Sequence, residues 1–260
     1  MLSIVMPYYK KFQEFVFAMK MGNLETFSSI EGLELILVLD DPGESQELLS
    51  FLGDLKAAEK INFSVKVLLN EEKHEWRAPS VAINVGIKNA TYEKILIISP
   101  ETIPLPHSIQ SLLQSVDENN FALGIIKFSS TTQIEGLGAI KAFNASPSSI
   151  MPYGSICFTK SQAEKVGGYD ESYIKWGGDD DDFRARLVSA GYAKKQTLAK
   201  FLHGKLEGRS LNRPNAVKEE KTKEKVLEKL SNIKEKQNYI ANNGQFGNSF
   251  DKVVFEFKCA

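Results

Sequence analysis

The sequence predicts an α/β fold, a single mostly parallel sheet flanked by helices in the Rossmann-like manner. Two observations carry that expectation. Short, β-branched apolar runs recur at residues 2–6, 34–39, 65–69 and 94–98, as in strands buried on both faces. Stretches with helical spacing at 12–27, 46–59 and 80–90 separate them, so strand and helix alternate through roughly the first hundred residues.

Taken in order, the first run ends at Pro7; with no basic segment or cleavage site ahead of it, it reads as a strand and not as a signal peptide. The second run stops at Asp40-Asp41-Pro42-Gly43, a strong turn signal. In doubly wound sheets ligands bind beyond the carboxyl ends of the strands, which singles out residues 7–10, 40–43 and 99–101. Further on, 121–130 reads as a strand, and 133–149, rich in Gly, Ser and Ala, as a loop with an edge strand. Ile156-Cys157-Phe158 is a short strand with Cys157 as a small core residue. A helix at 161–166 ends on Gly167-Gly168, and another spans 182–191. Beyond Pro214, residues 218–236 are dominated by Lys and Glu, with Val226, Leu230 and Ile233 as one docking stripe on a solvated helix. The run 253–257 suits an edge strand. These features divide the chain into a domain at 1–213 and a charged helix and tail at 214–260, packed on it or appended to it.

Composition narrows the function. In the 260-residue chain 33 acidic residues nearly cancel 32 basic ones, so no global field draws it to nucleic acid. No stretch approaches the roughly 20 apolar residues of a spanning helix. Two cysteines make no disulfide framework. A cytoplasmic protein is expected, with peripheral association at the inner face of a membrane open through the charged helix. Gly-x-Gly-x-x-Gly and Walker-type loops are absent, which disfavours dinucleotide and P-loop chemistry.

The strongest candidate for chemistry is Trp176-Gly177-Gly178-Asp179-Asp180-Asp181-Asp182-Phe183. One or two aspartates are explained as a helix N-terminus. Four in a row repel one another and need compensation. Asp182 and Arg186 form an i,i+4 pair, and Asp179 shares the helix face of Asp182. A crowded carboxylate has a raised pKa and suits a general base facing a sugar hydroxyl. Trp176 offers a face for a sugar ring, or a core anchor.

Gly167-Gly168-Tyr169-Asp170-Glu171 followed by this cluster resembles the "GGFDE…WGGEDxDF" signature of GT-A glycosyltransferases of the family-2-like and β-1,4-galactosyltransferase types. The opening strand through Pro7-Tyr8-Tyr9, Val38-Leu39-Asp40-Asp41 ("VVDD") and Ala82-Ile83-Asn84-Val85-Gly86-Ile87 ("ARNxGI") fall into register with it, over residues 1–205. The resemblance implies Asp180 as the base that deprotonates the acceptor, with Trp176, Gly178, Asp179 and Asp181 binding that acceptor. It implies Pro7, Tyr8, Asp40, Asp41, Arg77, Asn84 and Ser99 at the nucleotide. The donor would be a nucleotide-sugar, a UDP-sugar by expectation, and the acceptor a glycan.

At the metal the sequence departs from the pattern. Where the family has Asp-x-Asp, this chain reads Ser99-Pro100-Glu101. Glu101, with His203 in the position of a further metal-binding His, leaves Mn²⁺ or Mg²⁺ as the expected cofactor. Cations from Lys200, Lys205, Arg209 or Arg77 are the competing source of positive charge. His74 and His107 have weaker claims, His107 being expected at the surface after Pro104-Leu105-Pro106. Two other classes stay open: a non-catalytic sugar- or nucleotide-binding protein on the same fold, and a sugar nucleotidyltransferase.

Overall fold

The computed structural model describes residues 1–147, 155–174, 177–206 and 239–259. The segments expected to be strands form β1 (Leu2–Tyr8), β2 (Leu33–Leu39), β3 (Ser64–Leu69) and β4 (Lys94–Ile98). The short β5 (Thr102–Pro104) follows, then β6 (Asn120–Ser130), β7 (Ser155–Thr159), β8 (Ala193–Lys205) and β9 (Val253–Phe257). All join one sheet in the order β5-β8-β6-β7-β4-β1-β2-β3-β9. The β4-β1-β2-β3 centre is parallel throughout, as is β6-β8; β5, β7 and β9 pair antiparallel. Parallel strands need crossovers, and the helical stretches supply them.

The first of these connections is interrupted. Helix α1 (Phe12–Ala18) runs through a wide turn at Met19–Asn23 into α2 (Leu24–Ser28), with Gly22 at φ 149°. Helices α3 (Ser45–Ala57) and α4 (Ser80–Asn89) match expectation within a residue or two. Alternate residues of each central strand then fill two apolar layers. Ile4, Met6, Leu35, Leu37 and Phe15 lie on one face of the sheet, and Val5, Ile36, Val38, Ile83 and Phe183 on the other. Cys157 is in the core as expected, and burial pushes its thiol up to about 12.

After α5 (Ser108–Ser115), the segment expected to be a loop with an edge strand is instead two helices, α6 (Thr131–Leu137) and α7 (Ala139–Ala145). The Ser130 hydroxyl accepts from Gln133 N and caps α6, Gly138 at φ 76° breaks the pair, and Ile134, Ala142 and Phe143 bury the inner face. Small residues and an N-cap, read from composition alone, look like a loop. Helix α8 (Lys160–Val166) opens on a Thr159–Gln162 capping box and closes at Gly167. Helix α9 (Asp179–Ser189) starts three residues earlier than expected, so the aspartates are its first turn.

Residues 239–259 belong to this body. β9 lies on the free edge of β3, with Val65 opposite Phe257, and Ala241 is buried against Gly167. The expected charged helix at 218–236, and with it Arg209, lies outside the described residues, as does Trp176. Among the described residues no helix is long and apolar enough to cross a membrane.

Candidate active site

The four aspartates meet four fates. Asp182 and Arg186, one helical turn apart, form an ion pair with no exposed side-chain surface, Nε to Oδ2 at 2.8 Å. Arg186 Nη1 also donates to the carbonyls of Val166 and Gly168, 2.7 Å each, so α9 is pinned to the turn ending α8. Asp181 is paired with Arg184 near the surface. Asp179 and Asp180 have no cation within ion-pair distance among the described residues. Asp179 is buried; desolvation, then the charge of Asp180, raises its pKa far above the carboxylate range. Asp180 is half-buried at the helix end and also raised. Burial acts first, Arg184 pulls it back, Asp181 adds to it, and the Tyr169 hydroxyl opposes it. Gly177 and Gly178, at φ 94° and 92°, turn the chain into the helix through a conformation other residues rarely adopt.

The corner before α9 is gripped from two sides. Asn84 of α4 donates through Nδ2 to Tyr169 O (2.7 Å) and Glu171 Oε1 (2.9 Å) and accepts from Tyr169 N (2.7 Å). From the tail, Asn242 donates to the carbonyls of Gly167 (2.8 Å) and Tyr169 (2.7 Å) and accepts from Glu171 N (3.0 Å). Tyr239 adds a bond to Asp170, 2.9 Å. The packing leaves no room at Gly168, where a Cβ would meet Asn84 Oδ1 at 2.5 Å and the Phe246 ring at 2.7 Å. Tyr169 then stacks on Phe183 of α9, centroids 4.2 Å apart and rings 16° from parallel. The amide of Asn84, expected at the nucleotide, is thus committed to positioning the acid helix.

At the ends of β1 and β2 lies a second group. Asp40, buried, accepts from Arg77 Nε (2.8 Å) and Nη2 (2.6 Å) in a two-pronged pair. Asn70 Nδ2 lies 3.1 Å and His74 Nε2 3.3 Å from Oδ1 of the same carboxylate. Asp41 accepts from Gly43 N and faces Lys10 at 3.7 Å. Pro7 is half-buried. Tyr8 is enclosed, its ring against Phe15 at 6.2 Å, so its side chain belongs to the core. The half-exposed Tyr9 is the ring that reaches outward, beside His74. Exposed His107 falls where expected.

 

Glu101 and His203 are brought together by the pairing of β5 with β8, Nε2 to Oε1 at 3.2 Å.

Lys11, which the sequence did not single out, lies 3.0 Å from the same Glu101 oxygen. Burial alone would raise the Glu101 carboxyl, but the charges of His203 and Lys11 outweigh it and hold the group well below the usual range. Half-buried Ser99 lies in the turn just before, its carbonyl accepting from Thr102 N at 3.0 Å. Glu101 Oε2 and His203 Nδ1 are buried without hydrogen-bond partners. This donor set fits a divalent ion in part: one carboxylate and one imidazole, with the remaining positions left to diphosphate and water. Among the described residues no cluster of three His, Cys, Asp or Glu side chains is close enough to hold an ion.

The fold is that of the GT-A glycosyltransferases. Residues 143–216, which include the acidic corner, match a family model described as the N-terminal domain of galactosyltransferase. The chain is 22% identical over 232 residues to chondroitin synthase of Escherichia coli, covering 73% of this chain and 32% of that protein. It thus spans about a third of the relative's length. Two solved structures share the fold over 78% of this chain. The mannosyltransferase PcManGT from Pyrobaculum calidifontis, in complex with GDP-Man and Mn²⁺, has a TM-score of 0.54 at 14% identity, with 56% of it covered. S. aureus TarS has a TM-score of 0.52 at 15% identity, with 36% covered. Family match and relative together support glycosyl transfer as the chemistry.

Proposed function

We propose that this chain is an inverting glycosyltransferase that moves a sugar from a nucleotide-diphosphate donor, a UDP-sugar, to a carbohydrate hydroxyl. The observation that carries the reading is Asp180: a half-buried carboxylate at the mouth of α9, raised in proton affinity, while its neighbours Asp181 and Asp182 take the arginines. Such a group accepts a proton more readily than an ordinary aspartate. The acceptor oxygen attacks the anomeric carbon and its proton passes to Asp180. The bond from that carbon to the donor oxygen breaks, and its electron pair leaves on the diphosphate. Gly178, Asp179 and Asp181 hold the acceptor, with Trp176 beside them in sequence. Pro7, Asp41 and Ser99 line the nucleotide end, where the Asp40–Arg77 pair presents fixed polar edges. Glu101 and His203 are the residues that would hold Mn²⁺ or Mg²⁺, which supplies positive charge to the departing diphosphate.

The test is sugar transfer with UDP-, GDP- and dTDP-sugars across an acceptor panel, with NMR of the product's anomeric centre. Asp180→Asn is expected to cut transfer by about 100-fold or more while nucleotide affinity stays within about twofold. Full activity in that variant, or retention of configuration, removes Asp180 as the base.

A further inference from the structure

Lys11 sits between β1 and α1, and its side chain is a quarter exposed, at 25%. Its ammonium lies 3.0 Å from Glu101 Oε1 and 3.6 Å from Glu14 Oε1, both on buried residues. His203 Nε2 approaches the same Glu101 oxygen at 3.2 Å. One positive charge therefore stands between two carboxylates, beside an imidazole. That is the company a hard cation keeps. We propose that Lys11 is the resident cation of the diphosphate site, and that a divalent ion has to displace it from Glu101 to bind there.

The diphosphate part of this inference rests on the function proposed above; the competition at Glu101 does not. Two cations drawn to one carboxylate oxygen repel each other, so the lysine lowers the site's affinity for metal. A compact ammonium on a flexible stem can also turn to a phosphate without leaving the site. Sequence gave Ser99 in place of a second carboxylate; Glu14, from α1, stands on the other side of Lys11.

Mn²⁺ titration of the intact chain, followed by the spin resonance of the free ion, tests the competition. Lys11→Met and Lys11→Gln are expected to bind Mn²⁺ about tenfold tighter than the parent chain, and Lys11→Arg no tighter. Calorimetry with UDP in EDTA is expected to show about fivefold weaker binding for the neutral variants and near-parental binding for Lys11→Arg. Mn²⁺ dissociation constants within about twofold across all four proteins would overturn the proposal. A parent chain that binds no nucleoside diphosphate would overturn the donor reading instead, while the Mn²⁺ series still decides the role of the lysine.

Discussion

Around the ends of β1, β2 and β4 the buried carboxylates have basic partners: Arg77 on Asp40, Lys10 on Asp41, Lys11 and His203 on Glu101. At the start of α9 the arginines go to Asp182 and Asp181, and Asp179 and Asp180 are left with raised proton affinity, Asp179 through burial and the charge of Asp180, Asp180 through burial and the charge of Asp181. Matched charges hold a framework still. Unmatched ones are held at a cost in stability, and that is where proton transfer is proposed.

The contrast can be broken most severely at the buried pair. Arg186→Met leaves Asp182 without its cation in a site with no exposed surface, and urea unfolding is expected to show a loss of about 3–5 kcal/mol. Arg77→Met removes the equivalent partner from Asp40, but Asn70 and His74 remain beside that carboxylate. The expected loss is smaller, about 1.5–3 kcal/mol. Equal losses at the two sites would erase the distinction between them.

Asp179→Asn is expected to act in the opposite direction and least. A carboxyl whose folded pKa is raised binds its proton more tightly in the folded state, so stability falls as pH rises from the ordinary carboxylate range through the folded value. The amide escapes that loss. It is expected to gain on the order of 1 kcal/mol at the alkaline end, a rise in melting temperature of about 2–4 °C, and nothing in acid. A variant no more stable than the parent at any pH would mean that Asp179 is compensated after all. Glu101, with its depressed pKa, has the reverse dependence: its contribution is present above the ordinary carboxylate range and lost as pH falls.

Most of the framework was legible because buried strands and amphipathic helices write their period into the chain. The Asp182–Arg186 pair was legible for the same reason, being one helical turn long. Helices α6 and α7 were not, since their small residues imitate a loop. The grip of Asn84 on Tyr169 spans 85 positions, and that of Asn242 spans 73; nothing local announces such partners. Lys11 was hidden in the same way. The rule that ligands gather beyond the strand ends stopped one residue short of it.

Helix α9 turns at Gly191 directly into β8, so Asp180 and His203 sit near opposite ends of one helix–strand unit. Glu101 is tied to the same strand, its carbonyl accepting from Gly204 N at 3.0 Å. The proposed proton acceptor and the proposed leaving-group anchor are thereby mounted on a common frame, like the jaws of a fixed gauge. Sugars of different bulk would be sorted by a preset opening rather than by one that widens to admit them.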